Sequence, residues 1–398
     1  MSVPAATASP AGVAGGSSPL ALARPDILEL TAYEHAAWNP ALERLHANES
    51  PWRGSGDASE AGLNRYPEPQ SHALITALAQ LYGVMPAQLL ATRGGDEGID
   101  LLNRAFCRAG VDGIAVCPPT FGMYAVAARI QGAEVVRVPL TAPDFALDEA
   151  ALLTAVTGNV KLVFLCSPNN PTGNALGEAL VLRLARSLEG RAIVVVDEAY
   201  VEFAGLPSLA RHVGAQRNLV VLRTLSKAHA LAGARCGAVI ADAEVVALLR
   251  RIVEPYNLTQ LSIEAVLRAL QPAALEETRA RVAQIRAGRE FLAAALAESP
   301  AVTRAWPSDA NYLLVQFADP ADAFERLCAA GLLVRDVRRQ PGLECCLRIT
   351  VGTPDQNRRL IDALRGAAGQ GGLASGQRTG DGCSGAQRAA ACAQAVKA

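Results

Sequence analysis

The sequence predicts an α/β protein with a large domain built on one mostly parallel β-sheet, followed by a smaller α+β domain. From about residue 70 to 245, short β-branched runs such as "VKLVFLCSP" and "AIVVVDEAY" alternate with amphipathic stretches that end in glycine. Such runs suit strands covered by helices on both faces, which is the arrangement of parallel sheets. After about residue 273 the pattern changes to one long charged helix, three short strands and a final helix.

The change of pattern sets the expected domain boundaries. Residues 1–24 are rich in Ala, Gly, Ser and Pro and are predicted to form a flexible leader. An N-terminal segment follows at 25–69, then the large domain at 70–272 and the small domain at 273–366. The tail at 367–398 lacks apolar periodicity and is predicted to be disordered.

Composition excludes several classes of function. A net charge of -1 without a clustered basic face argues against nucleic-acid binding. The chain has no apolar run of about 18 residues, so no membrane span is expected. Its nine cysteines are scattered and form no C-x-x-C pair, which supports neither a metal site nor a disulfide framework. The reducing cytoplasm is the expected compartment.

Polar residues follow the predicted strands abruptly. In three neighbouring runs the residues at these ends are Asn169, Asn170, Asp197, Tyr200, Thr224, Ser226 and Lys227. Ligands of parallel sheets gather at the carboxyl ends of the strands. A carboxylate and an amine are rarely placed so near a core without partners, so these ends predict a binding site.

Lysine is scarce in this chain. Only three of the 37 basic side chains are lysines: Lys161, Lys227 and Lys397. Arginine stays charged in proteins, whereas a desolvated lysine can become a neutral amine and form a Schiff base. Scarcity alone does not decide between a chemical role for Lys227 and an ordinary surface position without one.

Pyridoxal phosphate requires this set of groups: an amine, a carboxylate, a donor to the ring hydroxyl, an aromatic face and an anion cradle. Lys227 offers the amine and Asp197 the carboxylate. Asn170 and Tyr200 can donate to the ring oxygen, and Phe121 of "CPPTFGMY" can stack on the ring.

The phosphate cradle is predicted at a helix start in "TRGGDEG", where free N–H groups and the helix dipole favour an anion. The candidates there are Gly95, Asp96 and Glu97. The segment around the lysine completes the set with Thr224, Ser226 and Arg235.

The motifs "SPNNPTG", "DEAY", "TLSKAHALAGARCG" and "CLRITVG" resemble those of fold-type I pyridoxal-phosphate aminotransferases, the aspartate aminotransferase superfamily. "LNRYPEPQ", "RGGDEGIDLL" and "VEPYNLTQLS" are similar to the histidinol-phosphate aminotransferase family within it. The resemblance covers roughly residues 25 to 365 and keeps the family's order and spacing.

The resemblance implies specific roles. Lys227 would form the Schiff base and move the proton, Asp197 would pair with the pyridine nitrogen, and Tyr200 would complete the catalytic set. Tyr66 would reach the phosphate of a neighbouring subunit, so a homodimer is expected, with the 25–69 segment contributing to the small domain, the dimer contact and the active site.

The substrate side follows from the same resemblance. Arg335 and Arg348 would bind the anionic ends of the substrates, and Tyr33 and Asn48 would close over them. Without the resemblance, a surface ion pair on the small domain would be the simpler interpretation of Arg348. Three features depart from the family pattern: the family's asparagine-glutamate-asparagine-proline segment appears as "NESP" at residues 48–51, Phe121 stands in place of a tyrosine, and His229 in place of an apolar aromatic residue. For His229 we expect simple packing, and a second acid/base role is the alternative.

The implied reaction moves an amino group between histidinol phosphate and 2-oxoglutarate, giving imidazole-acetol phosphate and glutamate in histidine biosynthesis. An aminotransferase for aromatic or other amino acids, or a threonine-phosphate decarboxylase, shares most of these motifs. A regulator on this fold would need an added DNA-binding segment. A dehydrogenase would need a G-x-G-x-x-G directly after a strand, and no such motif follows any predicted strand.

Overall fold

The computed structural model describes residues 17–365, except 35, 37 and 40. The predicted disordered tail and most of the predicted leader lie outside the described residues. The last residues of that leader are packed: Pro19–Leu22 form a 3-10 helix, and Leu22 and Ala23 are buried. The packed chain therefore begins before the predicted boundary at residue 24.

Helices fill the intervals between the strands. Those of the N-terminal part and the large domain are α1 Pro25–Leu28, α2 His72–Tyr82, α3 Gly95–Phe106, α4 Met123–Gln131, α5 Glu149–Ala155, α6 Glu178–Ser187, α7 Val201–Ala204, α8 Ala243–Leu249 and α9 Gln260–Ala269. Those that follow are α10 Pro272–Ala297, α11 Pro320–Ala329 and α12 Pro354–Arg365. The long charged helix predicted near residue 273 is α10.

The large sheet has seven strands in the order β1-β7-β6-β5-β4-β2-β3. Their bounds are β1 Leu89–Thr92, β2 Gly113–Val116, β3 Glu134–Arg137, β4 Val160–Cys166, β5 Ile193–Asp197, β6 Leu219–Thr224 and β7 Gly237–Ile240. Only β7 runs against its neighbours in this sheet. The mostly parallel sheet confirms the predicted fold class, and the short strand β1 is an addition that the sequence did not predict.

Helices cover both faces of the sheet, and strand residues alternate between two cores. In β5, Val194 and Val196 face one apolar cluster, while Ile193 and Val195 face the other. All residues of β5 and β6 are buried, because both faces of these central strands are covered. The alternation also fixes the face on which each polar residue at a strand end must lie.

The small domain carries a four-stranded antiparallel sheet in the order β10-β11-β9-β8. Its strands are β8 Val302–Ala305, β9 Tyr312–Phe317, β10 Arg335–Asp336 and β11 Cys346–Thr350. Three helices, α10, α11 and α12, pack against this sheet around an apolar core that includes Leu292, Phe317 and Leu347.

The segment from 29 to 71 has little regular structure. Glu264 ties it to the large domain by accepting hydrogen bonds from the backbone N–H groups of Glu60 and Ala61. Just before this segment, Arg251 donates to the carbonyl of Leu28 at the end of α1. Its predicted contacts with the small domain and with a partner subunit stay predictions.

None of the described helices combines the length and apolar character that a membrane crossing requires. Within the same residues, no group of three or more His, Cys, Asp and Glu side chains could hold a metal ion.

Candidate active site

The carboxyl ends of β4, β5 and β6 meet at one edge of the large sheet. In the parallel register Cys166 lies beside Asp197, and Asp197 lies beside Leu222. The loops that continue from these strands begin with the motifs "SPNNPTG", "EAY" and "LSK". The register therefore brings the polar strand ends together as predicted.

Asp197 is buried at the last position of β5, on the face that carries α4. Its carboxylate accepts a hydrogen bond of 2.7 Å from the hydroxyl of Tyr124 and one of 3.1 Å from the N–H of Ala199. Burial raises the pKa of the Asp197 carboxyl, and the Tyr124 hydrogen bond acts against that rise. A buried carboxylate of this kind favours a cationic partner close by.

Lys227 lies just beyond β6, and its amine is 5.6 Å from the ring centroid of Tyr200. Although much of the side chain is accessible to solvent in the single chain, partial desolvation of the amine lowers its pKa, and Arg348 lowers it further. Asp197 acts in the opposite direction. The arrangement favours a neutral amine, which is the nucleophilic form of lysine.

Tyr200 forms part of the wall beside the lysine. Burial raises the pKa of its phenol, so the hydroxyl stays protonated and can donate a hydrogen bond. Its ring packs edge-on against Tyr312 at 5.1 Å between centroids. Phe121 packs edge-on against Tyr124 at 5.5 Å and so stands next to the residue that holds Asp197.

The predicted anion cradle forms where α3 begins. Gly94, the residue before the helix, has a φ of +79°, and a Cβ there would lie 2.8 Å from Arg235 Nη2. Arg235 reaches Asp96 at 3.3 Å. The first N–H groups of a helix have no partners within it, so this end presents donors beside a guanidinium.

Two other cradle residues are held by neighbours. Thr224 is buried and lies 2.9 Å from the Ser226 hydroxyl, and its Oγ1 accepts from the Ser226 N–H at 3.1 Å. The side chain of Glu97 is engaged away from the cradle, because it accepts hydrogen bonds from the Arg93 N–H at 2.6 Å and from Asn257 at 2.8 Å. Of Glu97, only the backbone can serve an anion.

The two predicted substrate arginines are direct neighbours across β10 and β11, since Arg335 pairs with Arg348 in the register. Like charges directly opposite each other on a sheet repel. Arg348 donates to the Asn170 side-chain oxygen and lies 5.1 Å from the Tyr312 ring centroid, while its Nε is buried without a partner. An anion between the arginines would relieve the repulsion.

The three predicted residues of the N-terminal segment lie elsewhere in the single chain. Tyr66 stacks on Tyr256 at 4.4 Å, and Tyr33 is 75% exposed. Among the described residues, neither these tyrosines nor Asn48 hydrogen-bonds to Lys227 or stacks on it. These residues stay predictions that depend on a second subunit or on closure over a ligand.

The sequence did not reveal two buried tyrosines that support the site. Tyr124 binds Asp197, and Tyr312 donates a 2.7 Å hydrogen bond to the carbonyl of Asn169 while its ring contacts Tyr200. Both resemble ordinary core residues within their apolar runs. The only available signal was that Tyr124 follows Phe121 by one helical turn.

A family model, "Aminotransferase class I and II", matches residues 37–364. Histidinol-phosphate aminotransferase of Stenotrophomonas maltophilia is 50% identical over 351 residues, which cover 87% of this chain and 96% of that protein. The chain belongs to the histidinol-phosphate aminotransferase family. The histidinol-phosphate aminotransferase of Xylella fastidiosa strain 9a5c is 52% identical over 324 residues, 81% of this chain and 88% of that protein.

Solved structures agree with this family. The histidinol-phosphate aminotransferase from Sinorhizobium meliloti, in complex with pyridoxal-5'-phosphate, aligns with a TM-score of 0.69 at 26% identity, over 76% of this chain and 82% of that chain. The fold is also shared by L-threonine-O-3-phosphate decarboxylase from Porphyromonas gingivalis, with a TM-score of 0.65 at 24% identity, over 76% of this chain and 90% of that chain.

The protein is thus a pyridoxal-phosphate-dependent aminotransferase, and its residues fit that cofactor. The buried Asp197 favours a cation, and desolvation and Arg348 lower the pKa of the Lys227 amine. A Cβ at Gly94 would collide with the Arg235 guanidinium, so glycine at this position lets the arginine lie against the start of α3.

Proposed function

We propose that this protein transfers the amino group of histidinol phosphate to 2-oxoglutarate, giving imidazole-acetol phosphate and glutamate in histidine biosynthesis. The proposal combines the family with one observation, the facing positions of Arg335 and Arg348 on β10 and β11 beside Asn170. One substrate carries a phosphate and the other two carboxylates, and a planar guanidinium binds either group. We place the reaction in the cytoplasm.

The cofactor would supply an electrophilic aldehyde and a ring that accepts electrons from the substrate Cα. The Lys227 amine would attack that aldehyde and later carry the proton to and from the Cα. The Asp197 carboxylate would accept a hydrogen bond from the N–H of the pyridine ring. The hydroxyl of Tyr124 keeps that carboxylate in place. The Asn170 amide and the Tyr200 hydroxyl would donate to the ring oxygen.

The remaining predicted residues would bind the cofactor's other parts. Phe121 would cover the ring face, and the phosphate would lie at the start of α3. The backbone N–H groups at Gly95, Asp96 and Glu97 would donate to the phosphate. Ser226 and Arg235 would donate to it as well, and Thr224 would act through Ser226. These donors would hold the phosphate end of the cofactor at the start of α3.

Substrate preference is the experiment that tests the proposed function. Single-turnover rates with histidinol phosphate, phenylalanine and threonine phosphate should be compared on the purified protein. We expect histidinol phosphate to react fastest, because both its phosphate and its amine are recognised. A clear preference for phenylalanine would instead indicate an aromatic aminotransferase, and release of CO₂ from threonine phosphate would indicate a decarboxylase.

We also propose that the active form is a homodimer in which Tyr66 binds the phosphate in the neighbouring subunit. The exposed apolar side chains of the N-terminal segment support this: Leu42, Leu45, Trp52 and Tyr66 are each at least 50% exposed. Tyr33 and Asn48 would close over the substrate from the same segment.

Mixing two inactive variants tests this arrangement. Lys227→Ala and Tyr66→Ala chains, unfolded and refolded together, should regain roughly a quarter of wild-type activity, since half of the dimers would contain one intact site. Each variant refolded alone provides the control. No recovery on mixing would show that Tyr66 acts within its own chain or not at all.

A further inference from the structure

Asn169 joins three segments of the active site. It stands one residue before Asn170 in the loop that continues from β4, and it is only 5% exposed. Its amide group contacts the loop after β2, which carries Phe121, and its backbone carbonyl contacts β9 of the small domain. The family resemblance gives Asn170 a contact with the cofactor and gives Asn169 none.

Each polar atom of the Asn169 amide has a partner. The side-chain Oδ1 accepts a hydrogen bond of 2.8 Å from the Thr120 hydroxyl. The side-chain Nδ2 donates to the Pro119 carbonyl at 2.9 Å and to Thr172 Oγ1 at 2.6 Å. Because a carbonyl oxygen can only accept, the bond to Pro119 determines which end of the amide faces the loop after β2. The amide therefore links the loops after β2 and β4 directly.

The backbone around Asn169 ties the same loop to the small domain. The Asn169 carbonyl accepts a hydrogen bond of 2.7 Å from the Tyr312 hydroxyl. Further along the loop, the Asp309 N–H donates to the Gly173 carbonyl at 2.7 Å, and the Asp309 carboxylate accepts from the Ala175 N–H at 3.0 Å. The loop after β4 is thus held by the large domain on one side and by the small domain on the other.

The residues bonded to this amide adjoin two groups of the proposed cofactor site. Phe121 directly follows Thr120, and Asn170 directly follows Asn169. Phe121 is proposed to cover the face of the cofactor ring, and Asn170 is proposed to donate to the ring oxygen. An apolar side chain in place of Asn169 would leave the Thr120 hydroxyl and the Pro119 carbonyl without this partner, and the two loops would lose their link.

We propose that Asn169 is a positioning residue whose amide fastens the loop that carries Phe121 to the loop that carries Asn170, so that both groups meet the cofactor ring together. This inference rests on the proposed roles of Phe121 and Asn170. Asn169 acts through these two neighbours, because its own amide is already engaged by protein partners.

Two substitutions break this link from opposite sides. Asn169→Leu has nearly the same shape and removes all three side-chain hydrogen bonds. Thr120→Val removes only the hydroxyl that donates to Asn169, so it is the milder change if Asn169→Leu folds poorly. Asn218→Leu is the matched control: Asn218 is also buried and donates to two carbonyls, those of Ala185 and Ala192, but it precedes β6 at the opposite edge of the sheet.

The first readout is the dissociation constant of pyridoxal phosphate, measured by equilibrium dialysis on the full-length protein after removal of its cofactor. We expect it to rise about 10-fold in Asn169→Leu and about 3-fold in Thr120→Val, because the second change removes one neutral hydrogen bond and the first removes three. Asn218→Leu should keep the wild-type dissociation constant although its Tm falls. Thermal denaturation of every variant separates loss of stability from loss of affinity.

A double-mutant cycle shows whether Asn169 acts through its neighbour. Asn170→Ala removes the amide that is expected to donate to the ring oxygen. In the Asn170→Ala background, Asn169→Leu should weaken cofactor binding clearly less than in the wild type, because only the part transmitted through Phe121 remains. A residue that only stabilises the fold would give the same loss in both backgrounds.

The second readout is the pH dependence of the visible absorption band of the bound cofactor. A donor to the ring oxygen draws negative charge away from the neighbouring nitrogen that joins Lys227 to the cofactor, so that nitrogen loses its proton at a lower pH. Asn169→Leu should therefore raise the midpoint of this titration, in the same direction as Asn170→Ala. Asn218→Leu should leave the midpoint unchanged.

Two results would overturn the proposal. A wild-type dissociation constant and midpoint in folded Asn169→Leu or Thr120→Val would make Asn169 a structural residue of its loop. Additive losses in the cycle with Asn170→Ala, together with an unchanged midpoint, would show that Asn169 does not position Asn170. Failure of the proposed function is a separate result, because the affinity for pyridoxal phosphate is measured without histidinol phosphate.

Discussion

Asn170, Asp197 and Thr224, at the ends of β4, β5 and β6, are buried and hydrogen-bonded, whereas Arg335 and Tyr33, which are expected to meet the substrate, are exposed. Asp197 is held by Tyr124, and Asn170 is held by Arg348. In the described chain, the side chains of Arg335 and Tyr33 form neither an ion pair nor a hydrogen bond. The side chains expected to hold the cofactor, called here the cofactor side, are thus fixed by contacts within the chain. The side chains expected to bind the substrate, the substrate side, lack such contacts.

The comparison predicts that changes on the cofactor side lower kcat, and that changes on the substrate side raise KM. The largest effect belongs to Lys227→Ala, which removes the nucleophile and the proton carrier together. We expect kcat with histidinol phosphate to fall by about 10⁴-fold or more. Lys161→Ala is the control and should keep full activity.

Asp197→Asn tests the fixed carboxylate. The amide has nearly the same shape but carries no negative charge for the pyridine N–H, so kcat should fall by on the order of 10²–10³-fold. Cofactor affinity, measured by equilibrium dialysis, should weaken as well. Retention of most of the wild-type kcat would mean that Asp197 has a structural role only.

Tyr124→Phe removes the hydroxyl that binds Asp197 and leaves the ring in the core. A hydrogen bond to a charged group is worth about 1.5–3 kcal/mol, so we expect a loss of about 10-fold or more in kcat. Thr278→Val is the control, because it removes the hydroxyl of a buried residue in α10 that, within the described chain, bonds only to the carbonyl of Ala274. An equal kcat for Tyr124→Phe and the wild type would show that the Tyr124 hydroxyl does not support the function of Asp197.

The smallest effect is expected on the substrate side. Arg335→Ala removes one of the two facing arginines, so KM for histidinol phosphate should rise about 10-fold while kcat changes little. In the absence of substrate the variant should be at least as stable as the wild type, because the repulsion from Arg348 is gone. A fall in kcat without a change in KM would contradict the division between the two sides.

The cofactor side was largely predictable from the sequence. Asp197 and Lys227 end runs of buried strand residues, and the carboxyl ends of parallel strands meet at one edge of a sheet. Tyr124 was not predictable, because its partner lies 73 residues away and the helix α4 had first to be docked on the sheet. Strand β1 was missed because four residues give no clear pattern.

The substrate side was less predictable for a physical reason. The pairing of Arg335 with Arg348 depends on the register of an edge strand of two residues, which no local pattern fixes. Tyr33, Asn48 and Tyr66 were named from family resemblance, and their roles stay predictions. The surroundings of His229 could not be predicted from the sequence, because they depend on which face of β6 its neighbours occupy.

The central claim is that Lys227, at the end of β6, is the amine that holds the cofactor. The most direct measurement is to treat the purified enzyme with borohydride, which fixes the cofactor covalently to the amine that bears it, and to map the modified peptide by mass spectrometry. We predict the added mass on the peptide that contains Lys227 and its disappearance after addition of histidinol phosphate before reduction. Modification at Lys161 or Lys397 instead, or no modification at all, would contradict the account.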